Sequence, residues 1–226
     1  MKFYLQTLQP DEFMEVNQAV SLAGVYTEPV DFTRSEANVN QTLSALLEVM
    51  SEEQTIFVYG ISNGFRNMLE EGRHLQKFSK QLIPAVPADG QGCMAIKAGS
   101  HQHLGMAAGR IFSPEQAALA MHNGAKTLLL DLEKIGRFTS AKKVLKKVLK
   151  LSGNDESQAG SEILAICTSL EEMRMAMACG ATSIAAPKAV YDQMLFSVLT
   201  ASETAAARDE WIMTYTRTEV LDSTQA

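Results

Sequence analysis

Short apolar runs alternate with longer segments of helical period along this chain. Eight runs read as strands: 3–7 (FYLQT), 22–27 (LAGVYT), 54–61 (QTIFVYGI), 81–87 (QLIPAVP), 103–109 (HLGMAAG), 127–132 (TLLLDL), 161–168 (SEILAICT) and 183–187 (SIAAP). The intervening segments repeat at about 3.6 residues. Residues 36–50 bring Val39, Leu43, Leu46 and Leu47 to one face, and 139–151 do so with Val144, Leu145, Val148 and Leu149. Helix signals sit where this pattern needs them. Ser113-Pro114-Glu115 supplies an N-cap serine followed by proline at the first helical position. Ser169 and Glu172 have capping-box spacing, and Gly124 and Gly180 stand where helices should stop.

Strand and helix alternating eight times predict a parallel sheet with helical crossovers. Eight such units in about 200 residues predict an α/β fold of the (β/α)8 TIM-barrel type over residues 1–199. An open doubly wound sheet is the competing arrangement, but no glycine-rich phosphate fingerprint follows the first strand. Residues 200–226 add a C-terminal helix around Ala205 to Met213, which carries Trp211, and then the polar tail TRTEVLDSTQA.

Composition narrows the function classes. The 226 residues suit one domain, and 46% hydrophobic against 20% charged residues provides for a large core. The net charge, 20 − 26 = −6, disfavours nucleic-acid binding. No apolar run approaches the roughly 20 residues of a membrane span, and MKFYLQTLQPDEF lacks a signal-peptide core. Cys93, Cys167 and Cys179 are too few for a disulfide framework. A reducing, cytoplasmic setting is therefore expected, with no nucleic-acid or membrane partner. His101-Gln102-His103 lacks a third ligand, so neither a metal nor another cofactor is expected. Lys142, Lys143, Lys146, Lys147 and Lys150 read as the solvated face of a helix.

Several blocks resemble the transaldolase family, within it the fructose-6-phosphate aldolase branch. FYLQT resembles that family's first strand, and SLAGVYTEP its second strand and turn, where the usual pattern is LAGVTTNP. PAVPADGQGCMAIK stands in the place of a KVPVT-type segment and a helix ending in AIK. NGAKTLLLDLEKI, ILAICTSLEEMRMAMACGATSIAAP and the terminal helix around Trp211 continue the resemblance over almost the whole chain. It implies a TIM barrel with its site at the C-terminal strand ends and a Schiff base formed by a strand-four lysine. It also implies a homo-oligomer, a pentamer or decamer, in which the last helix packs on a neighbouring subunit.

The departures fall on the positions that carry chemistry in that family. The Schiff-base lysine falls on Ala85, which has no amine. The strand-one aspartate falls on Gln6, the turn threonine and asparagine on Tyr26 and Glu28, and the strand-three glutamine on Tyr59. The strand-five threonine falls on Gly109, the strand-six tyrosine on Asp131, and the phosphate-binding arginine on Lys134. The phosphate-site serine falls on Cys167, or on Thr168 one residue later. By resemblance, no residue is catalytic through the family mechanism. In a barrel, Gln6, Tyr26, Glu28, Tyr59, Gly109, Asp131, Glu133 and Lys188 would form a candidate pocket at one mouth. Lys134, Arg110, Cys167 and Thr168 are the candidates for holding an anion there, such as a small sugar-phosphate-like ligand. Two readings stay open: a non-catalytic binding, regulatory or assembly protein, or an enzyme of different mechanism acting on a small sugar or carbonyl compound. In the second, Asp131 or Glu28 would act as base and Tyr59 or Tyr26 as acid.

Overall fold

The computed structural model describes residues 1–153 and 160–220. Eight parallel strands close into a barrel in sequential order. They are β1 (Lys2–Gln6), β2 (Leu22–Thr27), β3 (Thr55–Tyr59), β4 (Leu82–Pro87), β5 (Ala107–Gly109), β6 (Thr127–Asp131), β7 (Glu162–Ile166) and β8 (Ser183–Pro187). Helices follow every strand: α1 (Pro10–Ala19), α2 (Pro29–Ser35), α3 (Val39–Val49), α4 (Phe65–Phe78), α5 (Gly90–Ser100), α6 (Pro114–His122), α7 (Leu132–Gly136), α8 (Ala141–Gly153), α9 (Leu170–Cys179), α10 (Lys188–Leu195) and α11 (Val198–Tyr215). The fold is the (β/α)8 TIM barrel with an added C-terminal helix that the alternation predicts.

Local signals act largely as read. Ser113 caps α6 through the Gln116 amide, with Pro114 in the first turn and Gln116 completing the box. Ser169 accepts from the Glu172 amide at 3.2 Å. The Glu172 carboxylate turns instead to Thr168, accepting from its amide at 2.7 Å and its hydroxyl at 3.1 Å. Gly180 ends α9 in the left-handed conformation. On α8, Val144, Leu145 and Val148 are buried while Lys142, Lys143, Lys146, Lys147 and Lys150 are exposed, as a solvated helix face requires. Strand five is the exception. The run 103–109 is strand only from Ala107, because residues 101–103 form a turn in which His103 is left-handed.

Two apolar layers hold the fold. The outer one lies between barrel and helices and includes Phe13, Leu46, Ile96, Leu128, Leu145 and Tyr191. The inner one fills the barrel and is asymmetric. Tyr4, Tyr26, Phe57 and Tyr59 come from β1–β3, facing Ala85, Ala107 and Ala185 from β4, β5 and β8. Leu129, Leu164 and Ile166 of β6 and β7 complete this layer, so the barrel interior is filled by side chains. Gly24 is needed for closure. The β1–β2 register shifts beside it, and a side-chain carbon there would lie 1.8 Å from the Thr55 carbonyl oxygen.

By contacts the chain divides into two units, Met1–Tyr191 and Asp192–Ala226. The boundary expected after residue 199 lies inside the second unit, near the start of α11. This helix is longer than the expected 205–213 and buries none of its residues. Trp211 and Tyr215 stack at 4.3 Å on it, with the Arg217 guanidinium over both rings. Among the described residues, no helix is long and apolar enough to cross a membrane.

Candidate functional site

Strands of a parallel barrel deliver their last inward residues to one mouth, where the βα loops begin. Here β2 ends in Thr27 and passes directly into Glu28, the N-cap of α2, with Pro29 starting the helix. The Glu28 amide donates to Asp31 Oδ2 at 3.3 Å, and Gln6 Nε2 donates to the same oxygen at 3.2 Å. That fixes the turn against β1. Strand β6 ends in Asp131, the N-cap of α7, whose Oδ1 accepts the Lys134 amide at 2.9 Å. Capping at these two strand ends therefore sets two carboxylates on the mouth, one of them almost fully buried.

One ammonium joins them. Lys134 Nζ lies 2.7 and 2.8 Å from the two Glu28 oxygens and 2.8 Å from Asp131 Oδ2. The Tyr26 hydroxyl donates to Glu28 Oε1 at 2.5 Å. Each group's ionisation follows from these contacts. Burial works to raise the Glu28 pKa, but bonds from Lys134 and Tyr26 outweigh it and hold the carboxyl below its ordinary range. Burial likewise opposes the charge on Lys134, yet Asp131 and Glu28 raise its pKa. Desolvation, reinforced by Glu28, keeps the Tyr26 phenol protonated well above its ordinary range. The result is a closed network of one phenol, two carboxylates and one ammonium.

A cavity of about 370 Å³ opens above it. Its wall includes Gln6, Tyr26, Glu28, Asp131, Glu133, Lys134, Arg110 and Thr168, all singled out from the sequence. Asp31, Arg34 and Arg137 also line it. Sequence reasoning missed these three, although Glu28-Pro29-x-Asp31 carries a helix-start signature, and Arg137 stands four residues after Glu133, with which it pairs. Tyr59 lies just beneath, its ring under the Arg110 guanidinium, 4.7 Å from the ring centroid. Gly109 supplies the room, since a side-chain carbon there would sit 2.4 Å from Tyr59 Oη. Ala85 pairs in register with Tyr59 and is 1% exposed, inside the barrel.

Two predicted residues are placed elsewhere. Cys167 points into the layer between barrel and helices, fully buried, and desolvation drives its thiol pKa far up. A strand's alternation explains this: Ile166 and Thr168 take the mouth side, so Cys167 takes the other. Lys188 pairs with Glu15 of α1 at 2.9 Å and does not line the mouth cavity. Among the described residues, no group of three or more His, Cys, Asp or Glu side chains could hold a metal ion.

No family model matches the chain. Among the curated proteins to which it is similar are three probable transaldolases. A probable transaldolase of Nitrosopumilus maritimus is 26% identical over 126 residues, 56% of this chain and 56% of that protein. Probable transaldolase 1 of Bacillus cereus is 30% identical over 125 residues, 55% and 57% of the two chains. A probable transaldolase of Brevibacillus brevis is 29% identical over 125 residues, 55% and 58%. The chain spans a little over half the length of these relatives. This TIM barrel is thus, over more than half of its own sequence, similar to proteins named probable transaldolase.

Proposed function

We propose that the chain is a member of the transaldolase family that has lost Schiff-base chemistry and binds a small sugar-phosphate-like ligand in a non-catalytic, regulatory or assembly role. The observation that carries this reading is Ala85, buried in the barrel at the position where the family resemblance puts the lysine. Schiff-base formation needs a neutral amine beside the carbonyl. Lys134 is the one lysine lining the mouth cavity among the described residues. It is held protonated between Glu28 and Asp131, which is the opposite of what a nucleophilic amine requires.

Acid–base catalysis by the same residues has less support. A proton-transfer pair works best with pKa values near the operating pH. Glu28 is shifted down and Tyr26 and Tyr59 are shifted up, so all three move away from neutrality. Both Asp131 oxygens are engaged by Lys134. The unburied α11 is consistent with a homo-oligomer, in which this helix packs on a second copy.

Borohydride trapping tests the loss of Schiff-base chemistry directly. The full chain is incubated with fructose 6-phosphate or dihydroxyacetone, reduced, and weighed by intact mass spectrometry. The expected spectrum is that of the unmodified chain. A covalent adduct, or aldol cleavage of fructose 6-phosphate, would overturn the reading, and peptide mapping would name the amine.

A further inference from the structure

The mouth contains a buried hydroxyl without a hydrogen-bond partner, set beside an exposed guanidinium. Tyr59 is 8% exposed, and its hydroxyl has no hydrogen-bond partner of acceptable geometry. The Arg110 guanidinium lies over its ring, 4.7 Å from the centroid, and has only N–H donors and no acceptor. Arg110 forms no ion pair among the described residues. The acceptors nearby are already used: Glu28 by Tyr26 and Lys134, and Asp131 by Lys134. A buried hydroxyl without a partner costs free energy, whereas the exposed Arg110 guanidinium meets solvent. The backbone adds to that cost, because Arg110 sits at φ 55°, a left-handed conformation unfavourable for a residue with a side chain.

We propose that Tyr59 and Arg110 form a hook for an oxyanion group, a phosphate or carboxylate, on the ligand. The proposal rests on the binding reading above and adds the group recognised and the residues that recognise it. The shape fits. A niche of about 10 Å³, whose polar lining is Tyr26, Tyr59, Arg110, Glu28, Asp131 and Lys134, has room for about one oxygen-sized atom. It shares Arg110, Glu28 and Lys134 with the cavity of about 370 Å³. One oxygen of the group enters the niche, accepting from the Tyr59 hydroxyl and Arg110, while the rest of the ligand lies in the larger space. Arg34, which also makes no ion pair among the described residues, lines that space and offers a second cation. Glu28 and Asp131 face the niche too; Lys134, 2.7–2.8 Å from both carboxylates, offsets one of their two charges, and Arg110 is the cation that balances the other.

Calorimetric titration of the full chain tests the hook, with inorganic phosphate, malonate, fructose and fructose 6-phosphate as separate probes. Phosphate or malonate should bind, and the stronger of the two identifies the group. Fructose 6-phosphate should bind more tightly than fructose if phosphate is preferred. Tyr59→Phe and Arg110→Gln should each weaken the preferred anion by about tenfold or more, the range for a charge-assisted hydrogen bond. Arg110→Gly, suited to the left-handed backbone, should fold and show the same loss. The hook is overturned if neither anion binds, which would leave the niche to water or a neutral group. It is equally overturned if fructose binds as well as both anions, or if the folded variants keep wild-type affinity. Failure here with a clean trapping result refutes the hook alone, whereas a borohydride adduct refutes the functional reading whatever the titration shows.

Discussion

Lys134→Met removes the cation that Glu28 and Asp131 share while keeping a stem of similar length to pack beneath them. The structure sets the size of the effect. Removing one partner of a fully buried ion pair costs about 3–5 kcal/mol, and of an exposed pair about 0–1 kcal/mol. The side chains of Glu28, Asp131 and Lys134 are 7%, 18% and 28% exposed, nearer the buried case. A loss of about 2–3 kcal/mol at neutral pH follows, after discounting for the solvent that reaches Lys134. The loss must depend on pH. In the wild type the folded pKa of Glu28 is depressed, so its stabilisation is present above the unfolded pKa and fades as pH falls through the folded value. Without Lys134, burial is opposed only by Tyr26 and Arg110, so the folded pKa rises from its wild-type value, and the penalty is full at neutral pH and fades as the carboxyl protonates. Both effects shrink the difference between variant and wild type in acid. Urea unfolding at about pH 7 and about pH 4.5, compared at equal m-value, measures it. A loss below about 0.5 kcal/mol at neutral pH would refute the reasoning, as would one that fails to shrink in acid. Glu28→Gln in the same chain should recover part of the loss.

Two further outcomes are expected. Gly109→Ala places a carbon 2.4 Å from Tyr59 Oη and should cost about 1–3 kcal/mol of stability, less in a Tyr59→Leu background; equal losses in both would refute the contact. Deletion of residues from 201 onward should leave a folded barrel of lower assembly mass by light scattering, because α11 buries none of its residues within the chain, and an unchanged subunit number would count against assembly through that helix.

The barrel was legible because its signals are local. Each strand and helix announces itself by hydrophobic period and by caps such as Ser113, Ser169 and Gly180, and eight alternations leave few architectures open. Strand five misled because GMAA is apolar enough to extend the run, whereas its length is settled by the turn through His103. The mouth was legible residue by residue, since a side chain two positions from another on one strand shares its face. Cys167 shows the limit: moving one position along β7 moves a side chain from the mouth to the outer core.

The amino-acid sequence by itself determined the order of elements, the closed eight-fold architecture and the absence of an amine at position 85. The tertiary structure alone decided the pairings that give the mouth its character. Lys134 meets Glu28 across 106 positions of chain, Tyr59 fills the space beside Gly109, and Lys188 turns away to Glu15. Periodicity and capping act within a few residues. Charge pairing and packing act through space, and only closure of the barrel brings distant strand ends within a few ångströms of one another.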